Sequence, residues 1–284
     1  MGNIVHKACE VIGLRKKAAQ DGKKFYDDKD FGRIFDKTTS GQIMNMAFNH
    51  YKDNEPHLNL TNEELLACTK WFDTVLNSEY NPANLKIVDA ERYFEFDLNE
   101  PRFKYDFVYG DKEYKGFLRV RGTIDLVVDN GDGIYEIVDL KTGSNMNWAT
   151  RRKKGFKDLQ NDFQLKLYYW AARKVYPEAK QILVTINFIN SGGATTISFS
   201  DNEVEAVENE LYHHMQEVKN RNHIVLNTLA CSFCPFYKET HKEDPSKTIC
   251  EFYQDRIKKT GMTNTIVKYG KLDQAAYVGG GTTK

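Results

Sequence analysis

Two short stretches of this chain hold the residue types that hydrolysis of a charged ester requires. Gly122-Thr123-Ile124-Asp125 is followed, across a turn, by Glu136-Ile137-Val138-Asp139-Leu140-Lys141-Thr142-Gly143. Two carboxylates and a lysine thus sit among apolar, β-branched neighbours. A buried carboxylate left unpaired there costs several kcal/mol unless it is protonated or bound to a cation. Oxygen ligands of this kind suit Mg²⁺ or Mn²⁺. Lys141 comes two residues after Asp139, so on a strand both side chains share a face. Its ammonium can then stabilise an attacking hydroxide or the charge growing on a phosphate. The alternative is a surface hairpin with a solvated Asp–Lys pair, but Asp125, just ahead across a tight turn, favours the catalytic reading.

The elements that must position these groups follow from local pattern. Residues 117–129 and 134–139 are rich in β-branched and aromatic side chains, and Asn130-Gly131-Asp132-Gly133 supplies the positive-φ positions of a tight hairpin, so the two strands should pair antiparallel. A further strand is predicted over residues 86–96, after a largely helical stretch. Within that stretch Thr61-Asn62-Glu63-Glu64 has the form of a capping box opening a helix to about Leu76. Residues 162–176 read as a helix stopped by Pro177, with Gln164 and Tyr168 one turn apart on one face. Much of that helix should be buried, given Leu165, Leu167, Tyr169 and Trp170, which makes Gln164 the stronger candidate of the two. Residues 181–189 and 194–199 read as a second hairpin around Ser191-Gly192-Gly193, residues 201–219 as a long helix, and Gly279-Gly280-Gly281 as part of a flexible tail.

Taken together, Gly122-x-x-Asp125, Asp139-x-Lys141-Thr142-Gly143 and Gln164-x-x-x-Tyr168 resemble the PD-(D/E)XK nuclease superfamily. The nearest likeness is to its RecB-like branch, which includes the CRISPR-associated RecB-like exonucleases and the AddB nuclease domain. Gly2-Asn3-Ile4-Val5-His6 is similar to that branch's G-x-x-x-H helix, and Glu91, opening the strand before the hairpin, is a weaker match. The resemblance implies an α/β, restriction-endonuclease-like mixed central sheet flanked by helices. It further implies His6, Asp125, Asp139 and the Leu140 carbonyl as metal ligands, Lys141 as the catalytic lysine, and Gln164 with Tyr168 as residues that position water or the DNA strand. An imidazole ligand is more usual for Mn²⁺ than for Mg²⁺. Glu10, one turn from His6 on the same face, either supports the ligands from behind or is solvated, and the solvated reading is preferred. On this view residues 1–220 form the nuclease core, with a helical insertion around 20–85.

The cysteines give a second signal. Cys231-x-x-Cys234-Pro235-Phe236, with His241 and Cys250 downstream, resembles the C-terminal group that holds a 4Fe-4S cluster in those exonucleases. Cys250 lies farther on than the family spacing, so two readings stand. Cys231, Cys234, His241 and Cys250 could hold tetrahedral zinc, or Cys9 or Cys68 could complete an iron–sulfur set. Either way residues 221–260 form a cysteine-rich metal-binding segment, with 261–284 as a tail. No signal peptide is recognised, so a reducing cytoplasm is the expected setting and disulfides are disfavoured.

Composition excludes some classes and leaves others. The chain has 284 residues, 40% of them hydrophobic, enough for a full core. No apolar run is long enough to span a membrane. Forty basic residues balance forty acidic ones, so DNA must be met by a local patch rather than by net charge. Arg151-Arg152-Lys153-Lys154, with Lys157, could hold phosphates beside the metals or form a solvated charge run. Arg15-Lys16-Lys17 with Lys23-Lys24 carries the same two readings. The expected activity is a metal-dependent DNA nuclease acting on duplex ends or single strands in recombination, repair or processing, alone or with a helicase. A non-catalytic DNA- or partner-binding module of the same fold is the competing reading, and a metal-knuckle protein with solvated hairpin carboxylates is a third.

Overall fold

A computed structural model describes residues 1–109, 111–147, 152–220 and Lys258. Arg151 of the basic loop, the cluster candidates Cys231, Cys234, His241 and Cys250, and the expected tail lie outside the described residues. By contacts, Met1–Gln216 forms one unit and Glu217–Lys284 another. The first is described below.

Its elements run α1 (Gly2–Gln20), β1 (Tyr26–Asp27), β2 (Arg33–Ile34), α2 (Ser40–Asn54), α3 (Asn62–Leu76), β3 (Ile87–Asp97), β4 (Lys104–Tyr109), β5 (Lys112–Phe117), β6 (Arg119–Asp129), β7 (Ile134–Lys141), α4 (Phe156–Gln160), α5 (Phe163–Val175), β8 (Gln181–Phe188), β9 (Gly193–Ser198) and α6 (Asn202–Asn220). The central sheet has five strands in the order β3-β6-β7-β8-β9. Only β7 and β8 pair in parallel, joined by the crossover through α4 and α5; the other pairs are antiparallel. The sheet is therefore mixed, as expected.

Strand β7 explains why the sheet needs helices on both sides. Ile137 packs into one core with Trp170, Leu165 and Ala172 of α5 and Val207 of α6. Its neighbours Val138 and Leu140 face the other way, into a second core with Ile4, Val5 and Ile12 of α1, Phe48 of α2 and Phe72 of α3. A strand apolar on both faces must be covered on both, and it leads straight into Asp139 and Lys141.

Local chemistry sets the boundaries. Thr61 and Glu64 exchange the two bonds of a capping box at the start of α3, and Thr39 with Gln42 does the same for α2. The Asp162 side chain accepts from the Gln164 N–H at 3.0 Å and starts α5. Gly131, Asp132 and Gly133 all take positive φ between β6 and β7. Three expectations are corrected. The strand expected from residue 117 starts at Arg119, and the chain before it makes a separate two-stranded hairpin, β4 with β5. Glu91 does not open its strand but lies inside β3. The insertion also holds a short pair, β1 with β2, besides its helices.

Candidate active site

The first motif glycine has a packing reason. A Cβ on Gly122 would come within 2.7 Å of the Phe94 ring, which lies across the ladder from it. Small size there lets β3 and β6 run flush up to Asp125. Gly2 has a similar constraint: a Cβ would come within 2.7 Å of Thr142 Oγ1, so the start of α1 abuts the end of β7. His6, one turn later, is thereby brought over the hairpin.

His6 meets Asp125 directly, and the Asp139–Lys141 pair lies beside them. His6 Nδ1 lies 3.3 Å from Asp125 Oδ2, which also accepts the Leu140 N–H at 2.9 Å. Asp139 is 1% exposed, and Lys141 Nζ sits 2.9 Å from both of its oxygens. Its Oδ1 takes the hydrogen bond, whereas buried Oδ2 has no well-aligned donor. On α5, the Gln164 amide donates to the Tyr168 hydroxyl at 3.0 Å, and the charge of Asp139 bears on Tyr168. Burial, then these carboxylates, holds the Tyr168 phenol neutral far above its usual range.

Sequence reasoning underrated one residue. Ligand atoms of His6, Glu91 and Asp125 all lie within 4.8 Å of one another. Glu91 reaches this position through a left-handed backbone, φ 49°, between Ala90 and Arg92, which pair with Leu126 and Ile124. A non-glycine residue held there is strained and persists only where its surroundings impose it. Glu10 also differs from expectation. It is not solvated: it lines the same small cavity as His6, Cys9, Glu91 and Asp125 and pairs with buried Lys7 at 2.8 Å, whose ammonium also meets Asp30.

The electrostatics favour a cation. Burial, then the charges of Asp125 and Glu10, pushes the Glu91 carboxyl up to about 7. Burial pushes Asp139 up to about 6, with Lys141 opposing and Asp125 adding to the rise. Burial alone would lower His6, but its hydrogen bond to Asp125 and the surrounding carboxylates raise it overall. Crowded acids that resist ionisation gain most from a bound metal ion. Three nitrogen and oxygen donors, with the buried carboxylate of Asp139 nearby, fit a hard or borderline divalent ion.

The other candidates are placed differently. Lys154 is paired with Asp162 at 3.0 Å, and Lys153 lies against Gly192. In the second basic group, Lys17 is paired with Asp89, and Arg15 donates to the carbonyls of Phe35 and Thr38. Cys9 and Cys68 are buried thiols, pushed up by burial.

A family model described as the PD-(D/E)XK nuclease superfamily matches residues 1–238. The chain belongs to the PD-(D/E)XK nuclease superfamily. The mixed sheet between helices agrees with membership of this family. No curated protein matches the chain. Among solved structures, the crystal structure of SSO0001 is similar at 14% identity over 66% of this chain and 76% of its own, with a TM-score of 0.29. Among the described residues, no helix is long and apolar enough to cross a membrane.

Proposed function

We propose that this PD-(D/E)XK protein is a Mg²⁺- or Mn²⁺-dependent deoxyribonuclease of the RecB-like kind, acting on strand ends or single strands. The observation that carries the reading is the convergence of His6, Glu91 and Asp125 within 4.8 Å, next to an Asp139 gripped by Lys141. His6, Asp125, Asp139 and the Leu140 carbonyl are the proposed ligands, with Glu91 added to the set. A bound divalent ion supplies Lewis-acid activation of water and neutralises phosphate charge.

The chain's own residues supply orientation and charge. The Leu140 N–H fixes one Asp125 oxygen, so the carboxylate is aimed before any ligand arrives. Asp139 pins the Lys141 ammonium, whose side chain is 32% exposed. The ammonium is thus rigid yet open to a phosphate oxygen or an attacking hydroxide. Gln164, exposed and bonded to Tyr168, stands where an amide can hold water or a backbone oxygen. Hydrolysis forms one bond from water oxygen to phosphorus and breaks one to the leaving oxygen, which takes up a proton.

The test compares wild type with Asp139→Ala on single-stranded and blunt duplex DNA with Mg²⁺ or Mn²⁺. Cleavage by wild type and its loss in the variant support the reading; equal behaviour of the two proteins overturns it. Visible absorbance and metal analysis of the same preparation distinguish iron–sulfur from zinc at the C-terminal cysteines.

A further inference from the structure

The ribbon of β3 and β6 continues past the carboxylate cluster with one face in the core and the other in solvent. Phe94, Val120 and Ile124 occupy the core face. In register, Tyr93 lies opposite Thr123 and Glu95 opposite Arg121, and alternation puts these four with Arg119 on the open face. Thr123 is two residues from Asp125 and Arg121 four, about 7 and 13 Å along the strand at ~3.3 Å per residue. This face therefore begins at the cluster and leads away from it.

Its chemistry is uneven in an informative way. Arg119 is held by Asp97 at 2.7 Å and by Glu95 at 3.1 Å, and the Tyr93 hydroxyl donates to Glu95. Glu95 is thus engaged twice. Arg121, directly across from it, is exposed, and among the described residues the ion pairs of Glu95 and Asp97 go to Arg119 instead. Tyr93 is 53% exposed, and its ring is fixed by the bond at its hydroxyl end. An open aromatic face beside an exposed guanidinium is the combination that binds single-stranded nucleic acid: bases stack on the ring and phosphates meet the cation. Duplex DNA keeps its bases stacked on one another and has no face to offer the ring.

We propose that this face is a track for single-stranded DNA leaving the cluster, with Tyr93 stacking on a base and Arg121 holding a phosphate. The proposal rests on the nuclease reading and narrows its substrate to a single strand at this position.

The test measures binding of a fluorescein-labelled oligodeoxythymidylate to the full chain in EDTA, by anisotropy across a salt series. Tyr93→Ala weakens binding about tenfold, the scale of one lost base–aromatic stack. Tyr93→Phe, which keeps the ring but loses its bond to Glu95, weakens binding less than Tyr93→Ala does. Arg121→Ala weakens binding and makes the slope of log K against log salt shallower by about 0.7. The track is overturned if both alanine variants bind like wild type, if Tyr93→Phe is as weak as Tyr93→Ala, or if wild type prefers blunt duplex. Binding in EDTA involves no hydrolysis, so failure of the nuclease reading shows separately, as absence of cleavage by a wild type that still binds.

Discussion

Lys141 is the side chain whose role is most sharply separable from metal holding. Both Asp139 oxygens lie 2.9 Å from its ammonium, so it carries charge to the reaction without occupying a ligand position. Lys141→Ala is expected to lower the single-turnover rate by about 10²–10³-fold, as loss of one preorganised charge donor does, while Mn²⁺ affinity by titration calorimetry stays near wild type. Asp139 and Lys141 were legible in the sequence because a strand's period of two forces them onto one face. Asp125 was legible because a glycine-rich turn brings its strand alongside. Glu91 was only faintly visible: its place depends on a left-handed backbone and on register against β6, and neither leaves a local mark. Glu10 was misread because Asp30, the second carboxylate on its helical partner Lys7, comes from far along the chain.

Among the elements, α5 carries Gln164 and Tyr168, and its position is set from behind by α6. Glu208 of α6 accepts from Trp170 Nε1 at 3.0 Å and pairs with Lys174 at 3.0 Å and Arg102 at 3.4 Å. Burial would raise this carboxyl, but Trp170 and Lys174 outweigh it and hold the group below its ordinary 4.5. A folded pKa lower than the unfolded one stabilises the native state above about pH 4.5, and that contribution fades as pH falls through the folded value. Glu208→Ala, which also strands the indole N–H, should destabilise by about 1–3 kcal/mol at neutral pH. Urea unfolding followed from pH 7 to pH 3 should show the gap to wild type shrinking below pH 4.5. Helix α5 itself was readable from Asp162 at its cap and Pro177 beyond its end. The β4–β5 hairpin is a charged, aromatic-rich stretch with no core-forming apolar run, and Gly110-Asp111 between its two segments was the available signal.

For the molecule as a whole, the site joins a helical layer and a sheet that already share one core. His6 comes from the helical layer of α1, α2 and α3, whereas Glu91 and Asp125 come from the sheet. An ion held by all three would tie one to the other, so the native state should gain about 2.7 kcal/mol at a hundredfold excess over Kd. In a domain of this size that raises Tm by roughly 5–10 °C. Scanning calorimetry with and without Mn²⁺ should show this rise in wild type and lose it in His6→Ala. The mixed sheet and its helical cover were expected from the family resemblance, and the burial of β7 on both faces is the physical reason for the cover.

The claim on which the rest depends is that Glu91, with His6 and Asp125, holds the ion that serves phosphodiester cleavage. Single-turnover cleavage of single-stranded DNA, followed across a Mn²⁺ series, tests it directly. Glu91→Gln should need at least about tenfold more Mn²⁺ than wild type to reach half its maximal rate. Superimposable Mn²⁺ dependences for the two proteins would contradict the account.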